Sequence, residues 1–175
     1  MSVDTVKLDK KINTACILFE DGNILYGQGF GSEGSVIGEL CFNTSMTGYQ
    51  EIMTDPSYAE QIITFTFPHI GNTGINTEDD ENKLISALAM IVKWDPTKAS
   101  NWRSQKQLSQ WLKEQNKLGI GQIDTRYITR LIREKGAQNI AICSNDNGNF
   151  NIQKLKDDLA SYSGLIGKDL AKDVS

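Results

Sequence analysis

Proline occurs three times, cysteine three times and histidine once in 175 residues, and no apolar run is longer than Ala87 to Val92. Each scarcity removes a class of protein. A membrane-spanning helix needs about 20 consecutive apolar residues, so none is expected. The opening MSVDTVKLDKKIN is charged and lacks the apolar core of a secretory signal. Cys16, Cys41 and Cys143 are odd in number, widely spaced and free of any CxxC, which predicts neither a disulfide framework nor a zinc knuckle. Their apolar neighbours (ACILF, LCFN, AICS) predict small buried hydrophobes, and unpaired thiols without a leader point to a reducing, cytoplasmic compartment. Lys and Arg total 18 against 22 Asp and Glu, a net charge of −4, which argues against nucleic acid, because phosphate binding demands clustered cations in excess.

With one histidine, any catalytic dyad or triad must use His69. None of the cysteines is flanked by glycines as in the elbow that exposes a nucleophile, so a cysteine hydrolase built on Cys41 and His69 is the weakest reading. Beside Pro68 and the Gly71-Asn72 turn, His69 reads as a hydrogen-bonded structural residue. The glycines at 27, 29, 31 and 34 form no phosphate-binding pattern between a strand and a helix; they predict a bulged strand end and loop over 27–38.

What remains is enough for one compact domain: 39% hydrophobic residues over this length supply a core that requires no metal or disulfide. Residues 14–19 and 24–30 read as a β-hairpin turned by Asp21-Gly22. Leu40 to Asn43 and Gln61 to Phe67 read as strands, leaving 43–58 between them as a loop dense in hydroxyls and amides. Pro56 biases Asp55 toward an extended conformation. Thr77 with the acidic run behind it is a helix start, and Ser86 to Val92 reads as a strand. Ser104 and Gln107 suggest a capping box for an amphipathic helix over 104–116, ended near Gly119. Asp124 or Thr125 should cap a helix over 125–135 that ends at Gly136, followed by a strand (AQNIAICS) and a last helix carrying Ile152, Leu155 and Leu159. On the 125–135 helix Ile128, Leu131 and Ile132 share one face; Arg126, Arg130 and Arg133 share the opposite one. That row is either a solvated face or a docking surface for an acidic partner, arginine being the cation suited to planar, multidonor recognition.

FEDG (19–22), Gly38-Glu39 through NTSMTGYQE (43–51), TDPSY (54–58), FPHIGNTG (67–74) and DTRYITRLIREKGA (124–137) together resemble the N-terminal domain of the small subunit of carbamoyl phosphate synthetase, in order from about Ala15 to the end of the chain. The resemblance implies an α/β fold of the layered β/β/α kind, with mixed sheets and a few peripheral helices. It implies a polar extension over 1–13, the domain proper over 14–162 and a linker from 163 to 175 toward a glutaminase domain. Small subunits of this family are glutamine amidotransferases, in which a Cys–His–Glu site frees ammonia for the large subunit to combine with bicarbonate and ATP. The sequence stops before that Cys–His–Glu site, so the chain alone is expected not to be catalytic and to need no cofactor, with ATP and magnesium expected on the large subunit. The implied partners are the large subunit, the glutaminase domain and L-glutamine. The family's glutamine-contacting serine falls on Ser57, and Arg126, Arg130 and Arg133 become candidates for docking the large subunit, while the 43–58 loop would face the glutaminase domain. A stand-alone binding module with the same fold is the alternative.

Overall fold

In the computed structural model the described residues are 11–76, 84–96 and 104–164. The helix start at Thr77, the 163–175 linker beyond Gly164 and most of the 1–13 extension lie outside them.

Strands β1 (Ala15–Phe19) and β2 (Ile24–Gly31) form the expected hairpin; its turn is set by Gly22 at φ 85 and by Asp21, which accepts the Asn23 N–H at 3.0 Å. β3 (Gly34–Asn43) follows almost at once. The glycine-rich stretch is therefore mostly strand, and its glycines answer a packing demand. A Cβ on Gly27 would sit 2.3 Å from the Gly121 carbonyl oxygen, so only a bare backbone lets the chains approach there. β4 (Gln61–Phe65), β5 (Ala89–Ile91), β6 (Leu118–Gly121) and β7 (Asn139–Ser144) complete a closed barrel in the order β1-β2-β6-β5-β4-β3-β7.

The barrel has two halves. β3, β4, β5 and β6 run parallel to one another, whereas β7, β1 and β2 pair antiparallel and close the ring. Residues alternating along the strands (Ala15, Ile17 and Phe19; Leu40; Ile62; Ala89 and Ile91; Ile120; Ile140 and Ile142) form one cluster, which is the face turned inward on closure. Ile128 and Leu131 join it from helix α3 (Thr125–Lys135), so that helix is seated against the barrel interior. On the outside, Ile63, Phe65, Met90 and Val92 are covered by α1 (Tyr49–Thr54) and α2 (Leu108–Glu114). Cys16, Leu18 and Ala141 are covered by Leu155 and Leu159 of α4 (Ile152–Ser161).

Several local expectations change. The 43–58 segment is not a plain loop: it holds α1 and a 3-10 turn at Pro56–Tyr58. The capping box at Ser104 does not form, because the Ser104 hydroxyl donates to the Lys106 carbonyl and α2 starts only at Leu108, without a side-chain cap. That helix ends at Glu114, and Gly119 belongs to β6 rather than to a helix stop. In contrast, Asp124 caps α3 by accepting the Tyr127 N–H at 3.0 Å, and Gly136 ends it at φ 82.

Candidate functional site

Ser57 lies at the centre of the 3-10 turn, and its residue is exposed. The Asp-Pro-Ser order explains the conformation. Pro56 holds Asp55 extended at φ −68 and ψ 122, and the Asp55 carboxylate turns back to accept the Ser57 N–H at 2.8 Å. The same oxygen, Oδ1, accepts the Ser57 hydroxyl, while the Tyr58 N–H reaches the Asp55 carbonyl at 3.1 Å. Glu60 leaves the turn in the left-handed region at φ 61, and the Tyr58 hydroxyl accepts from the Asn43 amide at 3.2 Å. With its proton engaged by Asp55, Ser57 Oγ presents lone pairs outward from a fixed position.

The segment before it is anchored equally firmly. The Tyr49 hydroxyl donates to the Gly74 carbonyl at 2.7 Å and accepts from Thr73 at 3.0 Å, and the Gln50 side chain both donates to the Asn76 carbonyl and accepts its N–H. Helix α1 and the 71–76 loop are thereby locked together. Burial raises the Tyr49 hydroxyl above its ordinary pKa.

The arginine row occupies a different place. Arg126, Arg130 and Arg133 are exposed and line an open cleft of about 540 Å³ with Lys93. Its other walls are the residues just past the carboxyl ends of the parallel strands: Thr44 after β3, Thr66 and Pro68 after β4, and Thr125 after β6. Thr129 and the Phe42 ring complete the lining, and the Arg133 guanidinium stands 5.7 Å from the centre of that ring. Among the described residues, none of the four cations belongs to an ion pair, and no Asp or Glu lines the cleft. Thr64, paired in register with Phe42, is fully buried with its hydroxyl unpartnered. Of these residues the sequence pointed to the arginines alone. Lys93, Thr44 and Thr66 were missed because they come from separate strand ends with nothing local to link them, and Thr125 and Thr129 because they read only as helix residues, whereas Asp55, as an acid before Pro-Ser, was a recognisable turn signal.

The thiols are poorly placed for nucleophilic work. Burial pushes Cys16 up to about 12, with its ladder partner Cys143 adding to the effect. Burial, assisted by the Glu39 carboxylate, pushes Cys41 up to about 12 as well, and Cys143 is raised by burial. All three move away from the thiolate. His69 is exposed and makes an edge contact with Phe67, ring centres 5.9 Å apart, so its neighbour is an aromatic ring rather than the expected hydrogen-bond partner. No cluster able to hold a metal occurs among the described residues, and no helix there is long and apolar enough to cross a membrane.

Fold and surface together define a mixed α/β barrel domain that carries an exposed serine turn and an open cationic cleft. Residues 17–142 match the family described as carbamoyl-phosphate synthase small chain, CPSase domain. The carbamoyl phosphate synthase small chain of Ruegeria pomeroyi is 54% identical over 162 residues, and that of Zymomonas mobilis subsp. mobilis 50% identical over 159 residues. The chain belongs to the carbamoyl phosphate synthase small chain family. The two alignments cover 93% and 91% of this chain and 42% of each relative, so the chain spans well under half the length of the proteins it matches.

Proposed function

We propose that this chain serves as the N-terminal domain of the glutamine amidotransferase subunit of carbamoyl phosphate synthase, docking on the large subunit and lending Ser57 to the glutamine pocket. The observation that carries this reading is the family match over residues 17–142, at about half identity to relatives bearing that name. In this role the chain supports synthesis of carbamoyl phosphate from glutamine, bicarbonate and ATP, for arginine and pyrimidine biosynthesis in the cytoplasm. Glutamine is cleaved in the small subunit's glutaminase domain, and ATP with magnesium is used on the large subunit. The physical need is clear: free ammonia protonates in water and then has no lone pair with which to attack, so it must cross a sheltered joint between subunits.

The exposed, fixed hydroxyl of Ser57 suits an N–H donor of the amino acid substrate, since its oxygen keeps lone pairs free to accept while its proton is held by Asp55. The arginine cleft supplies charge for the subunit joint. The inner cluster flanked by helix-covered outer clusters also favours the layered β/β/α description, opposite arcs of the barrel being the two β layers. The test is reconstitution. A small subunit containing this domain should bind the large subunit and make carbamoyl phosphate from glutamine; failure to capture a large subunit would favour a stand-alone binding module instead.

A further inference from the structure

We propose that the cleft between α3 and the ends of the parallel strands is a receptor for an acidic segment of the partner subunit, one carrying at least two carboxylates beside an apolar side chain. The identity of the partner rests on the docking role above; the chemistry of the segment rests on the cleft itself.

Arg126 and Arg130 are four apart on α3 and Arg133 three further on, so like charges face one another along one side of the helix, where such pairs are destabilising. Arg126 also sits in the first turn, where the helix end bears partial positive charge that only the capping Asp124 carboxylate meets, with no acid inside that turn. The acids flanking this row form no ion pair with it among the described residues. Asp124 is engaged with the Tyr127 N–H, and Glu134 neither lines the cleft nor joins a described ion pair. A solvated face would be expected to mix signs, as the surface of a protein with net charge −4 can readily do. Among the described residues, four cations from two separate elements converge on one concavity with no carboxylate in its lining. That lining is complementary to an anionic group.

Its size and floor select the occupant. About 540 Å³ exceeds what one inorganic anion fills, and the Phe42 ring and Pro68 add apolar lining to the cations and threonines. Guanidinium forks bind carboxylates in pairs, hydroxyls satisfy the remaining lone pairs, and the apolar lining takes an aliphatic or aromatic side chain. The cleft also follows the carboxyl ends of strands β3, β4, β5 and β6, so rigid ladders fix the loops that line it.

The experiment uses Arg130→Glu and Arg130→Lys in the complete small subunit. Removing the Arg126–Arg130 repulsion should leave thermal stability unchanged or raised, yet affinity for the large subunit should fall about tenfold or more for Glu and less for Lys, and added salt should weaken wild-type binding. A structural role for Arg130 would move stability and affinity downward together. A capped peptide of alternating glutamate and leucine should compete for the wild-type cleft and perturb the NMR signals of Thr129 and Arg130, whereas inorganic phosphate at the same concentration should not. Wild-type binding to the large subunit with Arg130→Glu unaffected would overturn the inference and leave the docking role standing. No binding by wild type would sink the docking role, and the inference would then stand or fall on the peptide alone. Equal competition by phosphate would make this a small-anion pocket and overturn it.

Discussion

The turn at Ser57 offers the sharpest test of the glutamine-pocket reading, because two side chains share one task. Ser57 supplies the hydroxyl; Asp55 holds it, accepting both the Ser57 N–H at 2.8 Å and the hydroxyl itself. On the proposed reading Ser57→Ala removes one contact to glutamine, and it keeps the turn, since the backbone bonds from Ser57 and Tyr58 to Asp55 survive. One neutral hydrogen bond is worth about 0.5–1.5 kcal/mol and about 1.4 kcal/mol is a factor of ten, so KM for glutamine in the reconstituted enzyme should rise roughly two- to tenfold. If the contact is equal in ground and transition states, kcat should barely change. Asp55→Ala should raise KM similarly, by freeing the hydroxyl to rotate. It should also cost about 0.5–2 kcal/mol of stability for the lost cap, a fall in Tm of roughly 2–4 °C per kcal/mol at this chain length. Since Asp55 acts through Ser57, the double variant should be no worse in KM than the poorer single variant. Steady-state glutaminase kinetics on the four proteins decide the matter: an unchanged KM in Ser57→Ala, or strictly additive effects, would refute the reasoning.

Three further outcomes follow from the packing. In Gly27→Ala the new methyl would meet the Gly121 carbonyl at 2.3 Å, a backbone atom that cannot step aside, so urea denaturation should show a loss of about 1–3 kcal/mol. Tyr49→Phe strips the partner from a buried Gly74 carbonyl and from the Thr73 hydroxyl; about 1–3 kcal/mol should be lost, and a change in unfolding free energy under about 0.5 kcal/mol would contradict the clamp between α1 and the 71–76 loop. Cys16 and Cys41 are raised from 9.0 to about 12 in the folded chain, so above pH 9 the unfolded chain loses protons that the folded one keeps. Their contribution is complete below that pH and declines as the pH climbs toward 12. The difference in stability between wild type and a Cys16→Ala, Cys41→Ala variant should therefore shrink between pH 8.5 and pH 11, as measured by denaturant titration, and native thiol labelling at pH 8 should be slow.

Where a few neighbouring residues decide a conformation, the chain was legible. Asp21-Gly22 turns the first hairpin, Asp124 starts α3 and Gly136 ends it, and the apolar stretch around Ile140 and Ile142 forms strand β7. Short or weakly coded elements were not. β6 has four residues, two of them glycine, and becomes a strand because β2 and β5 supply its hydrogen bonds. The first half of β3 is drawn into extended pairing with β7 from Gly34 onward, overriding glycine's reluctance to form strand. Helix α1 begins at Gly48 in the left-handed region at φ 79 without a side-chain cap, so no start signal announces it; Tyr49 and Met53 form it by burying themselves against Phe65 and Ile70.

The sequence by itself determined the local chemistry of this protein: the Asp-Pro-Ser turn that presents a hydroxyl, the spacing that gathers three arginines on one helical face, and thiols without company to make them reactive. Closure of the barrel and the cationic cleft were decided by tertiary structure alone. Residues 44, 66, 93 and 125–133 meet only because ladders joining 39–43, 61–65, 89–91 and 118–121 bring strand ends together across long stretches of chain. Turn and cap signals act within three or four positions, whereas that convergence is driven by burying one continuous apolar face, a property of the closed sheet and of no single segment.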